Sequence, residues 1–334
     1  MFFFTWGLEL PVRMPSLFQI SGPGRVTLNC NQYHVGHAEA ANRYSDPALL
    51  SREASFGGKM QTDTQTVLPW RIEDIDLSRI DRSRAAASED LLLLLCAASF
   101  IESGSDLYTR NLSAFFDGDP EVSGWLNLHW EHEELQHGRA LKAYINHVWP
   151  EFDWDLAFKS FFDEYSKTCS LDAFEKTRAL EMVARCVVET GTATLYRAIN
   201  ECSGEPVLKE ITDNIRSDEV RHYKYFLKFF KKYNQIEGNG RLAVLGALLR
   251  RVMEIKNEDS EIALRHVFAV RYPAQARNTA YTREKTVRVN ALVRRHLSAD
   301  MCVKMLLKPL DLPAKIQPSV HYPLAKLTQH VFFR

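Results

Sequence analysis

The sequence predicts an all-α protein built on four long helices, with additional helices and an extended C-terminal tail. Three observations carry that expectation. Apolar residues recur with helical period through most of the chain after residue 85. Turn-forming clusters interrupt the pattern at helix-length intervals, and no segment of any length alternates with the two-residue period of a strand.

Taken in order, residues 1–59 hold no sustained period and mix Gly, Pro, Asn and Ser freely, so they are expected to be a disordered or non-native extension. FGGKM, ending at Met60, fits a purine-rich run ahead of a bacterial start codon, and translation is expected to begin at Met60. An arm containing VLPWRIEDIDLSRID occupies 60–85. Long helices are predicted over 86–113, 121–148, 172–202 and 206–234, with a shorter one over 154–168. DGDP precedes the second, Ser170-Leu171-Asp172 leads into the third, SGEP separates the third from the fourth, and EGNG closes the fourth. Shorter helices follow over 240–256, 259–270 and 283–297, and PLDLPAKIQPSVHYP is too rich in Pro for helix and should run extended. The predicted organisation is thus an extension (1–59), an arm (60–85), a helical bundle (86–272) and a basic C-terminal helix with its tail (273–334).

Composition narrows the function classes. Hydrophobic residues make up 46% and charged residues 25% of 334, ordinary for a globular chain and unlike a disordered or fibrous one. Lys plus Arg and Asp plus Glu number 42 each, so no global charge points to nucleic acid. The balance is uneven: Arg271 to Arg334 holds twelve Lys/Arg against three Asp/Glu, which fits either a docking face for an anionic partner or a solvated terminal surface. Six cysteines without a CxxC suit isolated thiols in a reducing compartment. LLLLLCAASFI is too short to span a bilayer, and MFFFTWGLELPVRM lacks the basic start and cleavage site of a signal peptide. The expectation is a cytoplasmic protein with no membrane span, a homodimer being one expected assembly.

Trp130 to Gly138, WEHEELQHG, concentrates three carboxylates and two imidazoles on one helix. Of eleven histidines only His137 and His222 have a Glu three residues earlier, Glu134 and Glu219. At that spacing the two side chains share a face one turn apart. The other two long helices each carry a carboxylate on an apolar face: Glu102, behind Leu95, Ala98 and Ser99, and Glu189, after CVV. Burying either unpaired costs several kcal/mol, so a cation should compensate it. One Glu from each of two helices and a Glu-x-x-His from each of two others is the donor set of ferritin-like di-iron and di-manganese carboxylate bundles. Four carboxylates balance two divalent ions with both histidines neutral. Carboxylate with imidazole suits iron or manganese rather than a thiolate-bound metal. Spacings of 32 residues from Glu102 to Glu134 and 30 from Glu189 to Glu219 fit helical hairpins. Within WEHEELQHG, Trp130, Glu134 and His137 are expected inward and His132, Glu133 and Gln136 outside that stripe, with Glu131 nearest the metal face among the neighbouring charges.

These residues resemble the soluble acyl-carrier-protein desaturases. W-x-x-E-E-x-x-H-G at Trp130, Glu133, Glu134, His137 and Gly138 is similar to their second-helix signature, and DEVRH from Asp218 to His222 to their fourth. The E-x-x-T of Glu189 and Thr192 resembles their third-helix motif, and ESGSDLY from Glu102 looks like a looser match to the first. The resemblance spans about 86–235. Leu135 and Gln136 depart from the Asn-Arg usual in the second-helix motif. It implies a ferritin-like four-helix bundle, two iron ions held by Glu102, Glu134, His137, Glu189, Glu219 and His222, and Asp218 hydrogen-bonded to a ligand histidine. It further implies Thr192 on the oxygen-binding side, O2 as co-substrate, an electron donor such as a ferredoxin, and an apolar substrate of fatty-acyl or carrier-bound type. Two other activities share this scaffold. One is N-oxygenation or hydroxylation of a small metabolite; the arylamine N-oxygenases resemble this pattern but add a histidine one turn before the fourth-helix Glu, where this chain has Ile215. Ferritins and rubrerythrins oxidise iron or scavenge peroxide, but shell-forming ferritins are much shorter, and this chain lacks the Cys-rich rubredoxin module.

Overall fold

Helices in this chain begin where a side chain can take over the first free backbone N–H groups. Ser88, Asp119, Asp153 and Thr177 each accept the N–H of the residue three ahead, and Glu205 accepts two such groups, from Val207 and Leu208. Pro120 and Pro206 then occupy first helical positions, where a missing N–H costs nothing. In the computed structural model, which describes residues 68–169, 174–254 and 258–332, these caps open a wholly helical array with no strand among the described residues. The extension 1–59, the Met60 start and the lead-in at 170–173 lie outside the described residues.

In chain order, two short 3-10 turns (Ile72–Asp74 and Leu77–Arg79) precede α1 (Arg82–Ala86), α2 (Glu89–Ser103) and α3 (Ser105–Phe115). α4 (Pro120–Trp125) runs through a π turn (Leu126–Trp130) into α5 (Glu131–Val148), followed by α6 (Trp154–Tyr165). The long α7 (Arg178–Cys202) and α8 (Pro206–Glu237) come next, then α9 (Arg241–Glu254), α10 (Glu258–Arg271), α11 (Thr279–Arg294), α12 (Ala299–Leu307) and α13 (Gln317–Phe332). All described residues fall in one compact unit.

α7 packs along α8 and α2 along α5, and these four helices carry the candidate site. Leu92 through Ala97 are fully buried on every side of α2, because α5, α6, α10 and α11 enclose it. Glu89–Phe115 has the length and composition of a membrane-crossing segment, but its apolar window is 78% buried inside the protein, the packing of a core helix. α2 and α5 approach closely at Gly138: a Cβ there would lie 2.8 Å from Ser103 N, and Ser99 Oγ donates to the Gly138 carbonyl at 3.1 Å. Trp154 of α6 donates to the same Ser99 Oγ at 3.1 Å, tying the crossover helix to this contact.

Three expectations are corrected. The first long helix is two, broken at Gly104, where ψ is 3° and Ser105 Oγ turns back to the Glu102 carbonyl. A helix at 299–307 lies where none was predicted, its apolar face buried through Cys302, Val303 and Leu307. The tail is helical over 317–332 rather than extended. Pro318 stands in the first turn, where it blocks no helical bond, and Pro323 is accommodated inside a helix held by packing against α12.

Candidate metal centre

The four central helices bring all six predicted ligand residues together. Glu102 comes from the last turn of α2, Glu134 and His137 from α5, Glu189 from α7, and Glu219 and His222 from α8. None is more than 7% exposed. Their donor atoms form two overlapping groups, Glu102–Glu134–His137–Glu219 and Glu134–Glu189–Glu219–His222, the atoms of each lying within 4.8 Å of one another. Each group could hold a metal ion. Glu134 and Glu219 belong to both, so the two carboxylates that precede a histidine by one turn lie at the middle, and each end has one histidine and one terminal carboxylate.

The histidine rings are oriented from behind. His137 Nε2 lies 3.0 Å from Asp218 Oδ2, which also accepts from Trp70 Nε1 at 2.7 Å, with the Trp70 and His137 rings stacked 6.3 Å apart. His222 Nε2 lies 2.6 Å from Glu133 Oε2, to which Arg221 donates at 2.7 Å. Arg221 joins the two supports, since its Nη2 is also 2.8 Å from Asp218 Oδ1. A carboxylate at each Nε2 makes that nitrogen the donor and leaves Nδ1 facing the cluster. His137 Nδ1 stands 3.2 Å from Glu219 Oε1 and 3.8 Å from Glu102 Oε2, and His222 Nδ1 stands 3.0 Å from Glu134 Oε1 and 3.5 Å from Glu189 Oε2.

The inward atoms fit a cation. Glu134 Oε1, His137 Nδ1, Glu189 Oε2, Glu219 Oε1 and His222 Nδ1 are buried without a hydrogen-bond partner. Acceptors crowded without donors must share a positive charge or take up protons. Burial, reinforced by Glu219 and Glu102, drives the Glu134 carboxyl well above its ordinary range, and burial lifts Glu189 to about 8. Burial alone would depress both histidines, but the Asp218 bond and the neighbouring Glu102 and Glu219 carboxylates raise His137, and the Glu133 bond and the neighbouring Glu134 and Glu189 carboxylates raise His222. Glu102 differs: burial pushes it up, yet His137 and the Tyr196 hydroxyl, which donates to its Oε1, bring its net shift downward. Asp218 falls to about 2, because the bonds from His137 and Trp70 outweigh its burial. Oxygen and imidazole donors without thiolate suit iron, manganese or zinc better than a soft metal.

Around the six, the structure keeps some expectations and corrects others. Asp218 supports His137, as the resemblance implied. Thr192 donates to Glu219 Oε2 and also approaches its own backbone carbonyls at Val188 and Glu189. Glu133 and Gln136, expected outside the inward stripe, are buried: the first supports His222, and the second donates to the Trp70 carbonyl at 2.8 Å. Glu131, expected nearest the metal face, is instead half-buried, its carboxyl raised by burial and by Asp106. The spacing already contained the Glu133 signal, because residues i and i+4 lie about 40° apart on a helix, placing Glu133 beside His137. Trp70 and Tyr196 had no local signal; they lie 148 residues from Asp218 and 94 from Glu102.

A cavity of about 190 Å³ opens beside the cluster, with Glu102, Glu134, Thr192, Tyr108, Trp130 and Arg185 in its wall. No protein-family model matches the chain, and no curated protein matches it in sequence.

Proposed function

We propose that this protein is an O2-activating di-iron oxidoreductase of the ferritin-like class, mechanistically akin to the soluble acyl-carrier-protein desaturases. The observation that carries the reading is the sharing of Glu134 and Glu219 between two donor groups that each add one histidine and one carboxylate. Glu102, Glu134, His137, Glu189, Glu219 and His222 would hold two ions, which when bound would supply the activation of O2 and the oxidising equivalents. With neutral histidines, two divalent ions cancel the four carboxylates, so the reduced centre carries no net charge in a buried site.

The chain's own residues then have distinct parts. Asp218 and Glu133 fix the imidazole tautomers and keep Nδ1 inward. Tyr196 donates to Glu102 and holds that carboxylate in one orientation. Thr192, in the cavity wall and bonded to Glu219, places a hydroxyl proton between substrate and the shared carboxylate. Trp130 and Tyr108 wall the cavity and limit the entry of water. Electrons come from an external donor such as a ferredoxin, and the cytoplasm suits both donor and reduced thiols.

Of the substrate readings, oxygenation or hydroxylation of a small metabolite is favoured over desaturation of a long acyl chain. A cavity of about 190 Å³ lies below the size usual for a drug-sized ligand. Metal analysis of aerobically purified protein should find two irons per chain, falling below one in Glu134→Ala; full retention by the variant refutes the ligand set. Anaerobic reduction followed by O2 should give a transient oxidised species that organic substrate removes faster. Iron(II) oxidation with mineral retention, indifferent to organic additives, would instead support a ferritin-like role.

A further inference from the structure

The cavity beside the cluster has a polar end that the proposed oxidation chemistry leaves unexplained. Arg185 Nη2, Tyr108 Oη and Trp130 Nε1 all belong to side chains in its wall, and all three are buried without an acceptor in the protein. Arg185 is 3% exposed, four residues before Glu189 on α7, with its guanidinium 4.6 Å from the Tyr108 ring centre. A guanidinium cannot shed its charge, so burying one with a free edge is costly unless something accepts from it. Glu181 faces only part of the group, its Oε1 standing 2.9 Å from Nε. The other Glu181 oxygen accepts the Glu175 N–H at 2.8 Å and lies 3.9 Å from Arg251 Nη2, so that carboxylate is engaged elsewhere as well.

Three donors without acceptors in one small cavity describe the complement of a carboxylate, whose two oxygens offer about four lone-pair sites. Ile101, Val188 and Tyr165 supply apolar wall for a carbon skeleton. Arg251, Glu254 and Asp259 also line the cavity; Arg251 Nε lies 3.7 Å from Glu254 Oε2, so that cation already faces a carboxylate and a singly charged anion matches Arg185. We propose that this cavity binds a small monocarboxylate, its carboxylate gripped by Arg185 with Tyr108 and Trp130, and its carbon body held against Thr192 and the Glu134 edge of the cluster. This names the substrate class of the site proposed above and rests on that reading for its chemistry, though not for its binding. A carrier-bound fatty acyl thioester has no free carboxylate and exceeds the space.

Titration calorimetry on the metal-loaded full chain, with benzoate and hexanoate against benzamide and hexanamide, tests the assignment. The carboxylates should bind about 10- to 100-fold more tightly than their amides, the worth of one charge-assisted pair. Arg185→Leu should abolish that preference while keeping the wild-type metal content, and Arg185→Lys should keep part of it. Equal binding of acid and amide by the wild type, no binding of either, or a preference that survives in Arg185→Leu overturns the proposal. If Arg185→Leu does not fold, the wild-type acid–amide comparison and Arg185→Lys still decide it. An Arg185 that only supports Glu181 would lower stability on substitution while the wild type showed no acid preference. Metal content is measured on every sample, so absence of iron counts against the proposed function, and absence of the carboxylate preference counts against the cavity assignment.

Discussion

His137 and His222 stand on opposite sides of the cluster with ring centres 6.0 Å apart, each one turn after a shared carboxylate and each backed by an acidic residue. Their surroundings differ. The His137 half is tied from outside by Trp70 through Asp218 and from above by Tyr196 through Glu102. The His222 half rests on Glu133 and the partly exposed Arg221, and its terminal carboxylate Glu189 has Oε2 unpartnered. The charge states follow: the Glu102 carboxyl is drawn down while that of Glu189 is raised to about 8. One donor set thus yields a half tied by neutral hydrogen-bond donors and a half whose terminal oxygen has no hydrogen-bond partner in the protein.

Removing a shared group tests this division most severely. Glu219→Ala takes a carboxylate from both halves and should bring metal content from two ions per chain to below one, whereas Glu102→Ala should leave the His222 half able to hold about one; elemental analysis distinguishes them. Equal loss in both variants would show that the halves do not bind independently. Smaller effects are expected from the supports, because Asp218→Asn and Glu133→Gln keep shape but weaken the imidazole orientation. Each should lower metal affinity about 10- to 100-fold in competition with a chelator, with Glu133→Gln the more damaging because its half has fewer other ties.

The next test leaves the donors intact and moves a helix. Gly138→Ala drives a methyl into Ser103, one residue after Glu102, and should cost about 1–3 kcal/mol in denaturant unfolding together with weaker metal retention in the His137 half. The smallest effect serves as a contrast remote from the metals. Asp119 caps α4 and accepts from Tyr233 and Lys232 at 2.8 and 2.9 Å, and those bonds outweigh its slight burial to lower its pKa. A carboxylate lowered by folding stabilises at neutral pH and loses that contribution as pH falls through its folded value. Asp119→Ala should therefore cost about 1 kcal/mol at pH 7, with the difference from wild type narrowing below about pH 4 and metal content unchanged.

The legible part of the molecule was local. Glu134–His137 and Glu219–His222 announce themselves by one-turn spacing, and Glu102 and Glu189 by being charged on apolar faces, so all six residues of the buried cluster could be read without tertiary information. Glu133 falls outside the inward stripe of Trp130, Glu134 and His137, yet the helix places it within about 40° of His137, close enough to the cluster to reach His222. Trp70 and Tyr196 act across 148 and 94 residues, which no periodicity encodes. The tail failed for the opposite reason. Local Pro content argued against helix over 309–323, and over 317–323 packing against α12 overrode it.

The π turn at Leu126–Trp130 has a further consequence. Its closing bond runs from the Glu131 N–H to the Leu126 carbonyl, five residues apart, so this stretch holds one residue more than an α-helix needs for the same path. Losing that residue would regularise the helix and keep everything after it in phase with α4, so Glu134 and His137 would still face α2 and α8; the same loss from a regular α-turn would rotate them by about 100°. A single-codon deletion inside 126–130 would thus be absorbed by the surplus residue, whereas one in the regular turn at 131–133 would act as a phase error on half the donor set. Trp149 to Asp153, the loop after α5, follows both ligands, and a deletion there would leave their phase untouched.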